Sequence, residues 1–176
     1  MRKRLPALPL LIVLLVSFRI YFNALFNSFV YDDRLQVLDN CWIRDINHVP
    51  DIFSKSVWSF QDETVISNYY RPLMHLFFLL NYHVFGLRPW GFHLLNVLFH
   101  AGVSVLVFVI SARLLRASSN PSPLTENGFA GSLLSPPFVG ALLFAAHPIH
   151  TEAVAWVSGV PELSYTFFFL LSLSSI

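Results

Sequence analysis

The sequence predicts an all-α polytopic membrane protein, and three observations carry that reading. Of the 176 residues, 55% are hydrophobic and only 12% are charged, whereas a soluble domain carries about a quarter charged residues. Apolar runs recur that are long enough to cross a bilayer, about 20 residues at 1.5 Å rise each. Basic residues flank these runs: Arg2, Lys3 and Arg4 before the first, and Arg113 and Arg116 at the end of the second. The 18 Phe and 4 Trp suit lipid-facing and interfacial positions. A net charge of +1, with no basic patch interleaved with stacking aromatics, gives no sign of a nucleic-acid partner. The single cysteine, Cys41, excludes an internal disulfide. It reads as a half-buried loop residue and not a nucleophile, because the surrounding loop supplies no activating group.

The first span covers residues 5–26. It is too long for the apolar part of a signal peptide and lacks a small-residue cleavage site, so it reads as a retained anchor. Arg19, its single charge, falls near the outer end, where the head group reaches the interface. Positive charge before the run puts the N-terminus in the cytoplasm. Residues 27–89 then form an outer loop, facing the periplasm in a bacterium or the endoplasmic reticulum lumen in a eukaryote. Within it Trp42, Ile43, Ile46, Val49, Ile52, Phe53 and Val57 recur at roughly helical spacing. This predicts a short amphipathic helix within 43–58 on the membrane surface, broken at Pro50.

Residues 71–86 are apolar but only about 15 long, short for a span, and His75, Asn81 and His83 interrupt them. They read as an interfacial or re-entrant helix that returns to the same side. The second span is 90–115, closed by Arg113 and Arg116 on the cytoplasmic side. Residues 116–135, rich in Pro, Ser and Gly, form a cytoplasmic loop. A third span, 136–147, leads outward to a second outer loop at 148–162, and 163–176 start a fourth span. A helix that stops within hydrocarbon leaves its last carbonyls without partners, so the chain reads as the front part of a longer membrane protein. No internal repeat is visible.

With this topology Asp32-Asp33 and the run His147-Pro148-Ile149-His150-Thr151-Glu152 face the same compartment. If 71–86 crossed the membrane, they would lie on opposite faces and could not share a site. A carboxylate at a lipid surface can take a proton from an attacking hydroxyl when it is held within reach and tuned by neighbours. The other reading of Asp32-Asp33 is a pair of solvated loop acids with Arg34 as partner. His147, His150 and Glu152 lack zinc-site spacing. They either cap a helix start or hydrogen-bond a lipid-linked phosphate or sugar. Arg71 precedes a helix start, a place that favours phosphate, or it pairs with Asp62 or Glu63. His75, His83, His93 and His100 read as packing or interhelical hydrogen-bonding residues.

Several strings go beyond spacing: Phe29-Val30-Tyr31-Asp32-Asp33; Tyr70-Arg71-Pro72-Leu73; Pro89-Trp90-Gly91-Phe92-His93-Leu94-Leu95-Asn96; and Ala145-Ala146-His147-Pro148-Ile149-His150-Thr151-Glu152-Ala153-Val154. Together they resemble the transmembrane and tetratricopeptide-repeat O-mannosyltransferases and their bacterial relatives, of the GT-C class of glycosyltransferases. The resemblance runs from about Phe29 to the end. It implies the N-terminal part of a GT-C membrane domain, with interfacial helices in the first outer loop. It implies transfer of a sugar such as mannose from a polyprenyl-phosphate carrier to a hydroxyl acceptor on protein or glycan, within membrane lipid. By the same resemblance Asp32 is the base, Asp33 its neighbour, and Arg71, His147, His150 and Glu152 line the donor or acceptor site. No cofactor beyond the lipid-linked sugar is implied, and no divalent metal.

The chain departs from the family at Gly159-Val160-Pro161-Glu162, where members commonly continue Gly-Arg-x-Asp/Glu. The family's tetratricopeptide repeats do not occur within these residues. On the residues alone two further readings stand: a non-catalytic polytopic protein such as a transporter or assembly scaffold, or an inactive truncated fragment.

Overall fold

A computed structural model describes residues 7–62, 67–117 and 133–175 of the chain. The expected basic residues 2–4, Glu63, residues 118–132 of the linker and Ile176 lie outside the described residues. The described residues are helical, in short 3-10 turns or in irregular loops, and no strand occurs among them.

The first span is α1 (Ala7–Ile20), extended by a 3-10 turn (Phe22–Phe26). It is apolar on all sides. Leu8, Leu11, Leu14 and Leu15 are exposed while Val13 and Ser17 are buried, the pattern of a helix with one face on protein and the rest on lipid. The first outer loop then breaks into short pieces. These are a π-helical turn (Arg34–Leu38), 3-10 turns at Cys41–Ile43 and Ile46–His48, and α2 (Val49–Ser54).

Two expectations are corrected in this loop. Pro50 does not break a helix; it stands in the first turn of α2, where the backbone N–H that proline lacks has no partner in any case. Cys41 is exposed, not half-buried, because Asn40 caps the turn it opens, accepting the Trp42 N–H at 2.9 Å, and sends Trp42 and Ile43 inward instead.

Residues 72–85 form α3 (Pro72–Phe85), with proline in its first turn. Gly86 ends it at φ +62° and ψ −148°, a conformation open in practice to glycine alone. Met74, Phe78 and Leu79 of α3 join Val37, Trp42, Ile43, Ile52 and Val57 of the loop in one apolar cluster, with Phe92, Val157 and Val160. So α3 packs with the outer loop, while Leu73, Leu80 and Val84 stay exposed.

The long α4 (Pro89–Ala117) is the central element. It is followed by α5 (Pro136–Ala146), a 3-10 turn (Pro148–His150), α6 (Thr151–Ala155), a 3-10 turn (Val157–Gly159) and α7 (Val160–Ser175). The last helix therefore starts three residues ahead of the expected 163, with Glu162 in its first turn, where a negative charge favours the helix dipole.

Contacts fix the helix directions. Val13 meets Phe108, Phe138 and Ala141 at one end of the bundle; Tyr21 and Ala24 meet Val97 and Leu163 nearer the other. Arg113, late in α4, bonds the carbonyl of Ser174, late in α7. Hence α1 and α5 run toward the loop end, and α4 and α7 run away from it.

By length and composition two helices can cross a membrane, Ala7–Phe26 and Pro89–Leu115. A third crossing exists if Pro136–Ala146 and Pro148–Ala155, bent by 46°, act as one span. The 11 residues of α5 alone extend about 16 Å, roughly half the hydrocarbon thickness. The molecule is an all-α membrane protein.

Candidate functional site at the loop end

The two acids of the first outer loop have opposite environments. Asp33 is fully buried and Asp32 is exposed. The turn that carries them closes on itself: the Asp33 N–H donates to the Val30 carbonyl at 3.0 Å, and Asp33 Oδ2 accepts the Val30 N–H at 3.2 Å. Between them Tyr31 takes φ +48° and is 85% exposed. A positive φ is uncommon for a residue with a Cβ; here the two Val30–Asp33 bonds hold it.

The other oxygen of Asp33 crosses to the 3-10 turn Val157–Gly159. Oδ1 accepts from the Ser158 N–H at 2.8 Å and from Ser158 Oγ at 2.7 Å. Three donors converging on this buried carboxylate anchor it to both segments. The segments 27–89 and 148–162 therefore meet at one end of the bundle.

Two other elements hold the same segment. From α4, Asn96 Nδ2 donates to the Trp156 carbonyl at 2.6 Å, with the Ala153 and Val157 carbonyls at 3.4 and 3.5 Å. From the start of α3, Arg71 Nη2 stands 3.5 Å from Glu162 Oε1 and its guanidinium lies over the Tyr69 ring at 5.4 Å. Arg71 thus pairs with Glu162 of α7, while Glu63, one of its expected partners, lies outside the described residues. Gly159 completes the fit: a Cβ there would stand 2.6 Å from the Ala153 carbonyl oxygen.

Beneath the acidic turn, His75 of α3 is buried, with Nε2 2.8 Å from Gln36 Oε1 and the edges of Trp42 and Phe60 around its ring. Burial lowers its pKa from 6.5 to about 4, because the apolar surroundings penalise the charged ring. His93 is fully buried too, on the α4 face that carries Asn96 and His100.

His147 and His150 are placed elsewhere. His147 Nδ1 accepts the Ile149 N–H at 3.2 Å, capping its own turn, and its carbonyl accepts from Tyr21 Oη at 3.3 Å. The His150 ring packs on Phe144 and His100, with centroids at 4.4 and 5.3 Å. His100 Nε2 in turn is 3.1 Å from the Ala145 carbonyl. Glu152 is exposed in the first turn of α6. No described hydrogen bond or ring contact links His147, His150 or Glu152 to the acidic pair or to Arg71. Among the described residues no three His, Cys, Asp or Glu side chains converge as metal ligands.

The structure brings together Asp33 and, through the segment 158–162, Arg71. Ser158, Asn96, Gln36 and Glu162, to which the sequence assigns no role of their own, hold the site. For Asn96 a signal existed: with His93 and His100 it sits at i, i+3 and i+7, one polar stripe on an otherwise apolar helix.

No family model and no solved structure matches the chain. Among known proteins it is similar to Protein O-mannosyl-transferase TMTC3 of Mus musculus, 37% identical over 156 residues, 88% of this chain and 15% of that protein. Protein O-mannosyl-transferase TMTC2 of Homo sapiens is 36% identical over 155 residues, 88% of this chain and 17% of that protein. Protein O-mannosyl-transferase TMTC4 of Homo sapiens is 36% identical over 149 residues, 82% of this chain and 19% of that protein. The chain spans less than a fifth of the length of these relatives. Across most of its own length the chain is a homologue of one segment of the protein O-mannosyl-transferases.

Proposed function

We propose that this chain supplies the acid-bearing end of a membrane glycosyltransferase. It moves a sugar, mannose by the names of its relatives, from a polyprenyl-phosphate carrier to a hydroxyl on protein. The observation that carries the reading is the division of the acidic pair. Asp33 is consumed by three hydrogen bonds inside the molecule, while Asp32 stands exposed beside it on a rigid turn. An exposed carboxylate on a fixed backbone is what a general base requires.

In the proposed step the acceptor oxygen attacks the anomeric carbon as its proton passes to Asp32. The bond from that carbon to the phosphate oxygen breaks, and the polyprenyl phosphate leaves with the electron pair. Attack from the face opposite the phosphate inverts the anomeric centre. Arg71, at the start of α3 and in an exposed ion pair with Glu162, turns its guanidinium to the leaving phosphate. His147, His150 and Glu152 line the approach of donor or acceptor. The loop end faces the periplasm or the endoplasmic reticulum lumen, with the exposed Leu73, Leu80 and Val84 of α3 against lipid.

The test is mannose transfer from a polyprenyl-phosphate-mannose donor to protein, in membranes of cells expressing the complete coding sequence. Asp32→Asn is expected to lower turnover by about 10²-fold or more. Undiminished turnover in that variant removes the base and with it the reading.

A further inference from the structure

The geometry points to Ser158 as a positioning residue for the acidic turn: seating of the second outer loop on Asp33 sets where the exposed Asp32 carboxylate stands. This rests on the reading of Asp32 as the base. Ser158 itself touches no reacting atom and acts through Asp33.

Four observations converge. Ser158 is buried and gives both its N–H and its hydroxyl to a single oxygen, Asp33 Oδ1. Two bonds from one residue to one atom fix direction as well as distance. Asp33 then transmits that position along the backbone. Its Oδ2 accepts the Val30 N–H and its own N–H donates to the Val30 carbonyl, so residues 30–33 form one closed turn, with Asp32 inside it and Tyr31 held at φ +48°. Finally, Ser158 is itself immobilised. Asn96 grips the carbonyl of Trp156 on one side, and on the other Gly159 lies so close to Ala153 that a Cβ would fall 2.6 Å from its carbonyl oxygen. The chain of support therefore runs from α4 through Asn96, the Trp156–Gly159 segment and Ser158 to Asp33 and the turn that carries Asp32.

A serine is suited to this place. The backbone N–H of any residue could supply one bond, but only a small hydroxyl side chain supplies the second at 2.7 Å within a buried 3-10 turn. Ser158→Ala keeps the N–H bond and removes the other, which loosens the turn without emptying the site. Ser158→Thr keeps both donors.

Two measurements test the assignment, both on protein expressed from the complete coding sequence in membranes. In the transfer assay, Ser158→Ala is expected to lower kcat about 10- to 100-fold, the scale of a base displaced by about 1 Å, with KM for polyprenyl-phosphate mannose unchanged. Ser158→Thr is expected to restore most of the loss. In the second, a spin label is attached at Asp32→Cys in protein whose other cysteines, Cys41 among them, are replaced by Ser. Its mobility is expected to rise when Ser158→Ala is added and to return with Ser158→Thr. An unchanged kcat in Ser158→Ala, a KM rise that accounts for the whole loss, or a label whose mobility ignores Ser158 would each overturn the positioning role. Wild-type membranes that transfer no mannose would overturn the proposed function instead, and the label would still decide whether Ser158 holds the turn.

Discussion

The loop end and the helical bundle of this protein are held by different physics. In the bundle, Val13 packs against Phe108, Phe138 and Ala141, and the buried serine hydroxyls turn back on their own helices. Ser17 Oγ donates to the Val13 carbonyl at 2.6 Å and Ser104 Oγ to the His100 carbonyl at 2.9 Å. At the loop end the buried polar side chains reach across the chain: His75 to Gln36, Asn96 to Trp156, Asp33 to Ser158. The difference follows from the backbone. A helix satisfies its own N–H and C=O groups, so side-chain bonds add little to it. The irregular backbone of two outer loops cannot do so, and side chains that bridge distant segments supply the missing partners. The bundle is thus a packed support, and the loop end is a set of specific bonds standing on it.

The comparison breaks most directly at Asp33. Asp33→Leu leaves the buried Ser158 N–H and hydroxyl without their acceptor, each worth about 1–3 kcal/mol when orphaned, and the part-buried Val30 N–H loses its partner too. We expect a total loss of about 3–5 kcal/mol, read as a lower unfolding midpoint in detergent by tryptophan fluorescence. A loss below about 1 kcal/mol would mean that the loop end is held by packing, as the bundle is.

The next effect is pH. The pKa of buried His75 lies near 4 in the folded protein against 6.5 for the free side chain, so the unfolded chain takes up the proton first. Stability from the neutral ring is therefore complete above pH 6.5, falls as pH drops through 6.5 toward 4, and is flat below. The full swing is about 3 kcal/mol. Hydrogen exchange over residues 36–43 should accelerate in that window while exchange in α1 does not, and His75→Asn should flatten the profile. Acceleration of both regions together would show one cooperative unit in place of two.

The smallest effect belongs to the bundle. Ser104→Ala removes a hydroxyl bonded only to its own helix, and the His100 carbonyl keeps its helical environment. We expect a change within about 0.5 kcal/mol in the same unfolding assay. A larger cost would assign that hydroxyl a role between helices and blur the distinction.

Much of the fold is legible in the sequence. The first span, the second span and the short 72–85 helix all follow from apolar length, and Pro72 and Gly86 mark the ends of the last. Pro50 is misread because the same residue breaks a helix interior and starts a helix, and local sequence does not say which position it will hold. The site is less legible. Asp32 and Asp33 are neighbours with the same chemistry, and no pattern in the string says which one is buried. That depends on Tyr31 adopting a positive φ and on Ser158, which lies 125 positions away. Nothing near Arg71 in the string points to its ion pair with Glu162 of α7, which exists because the return of the chain through residues 148–162 brings that acid to the start of α3.

Composition and apolar run length by themselves determined that this is an all-α membrane protein, since lipid admits few ways to satisfy a backbone and helices of about 20 residues are the simplest. Its motifs determined its kinship with the protein O-mannosyl-transferases. Only the tertiary structure divided the acidic pair into one residue that anchors and one that faces solvent. Burial and bridging hydrogen bonds are properties of segments far apart in the chain, and they exist only once α4 has brought those segments together.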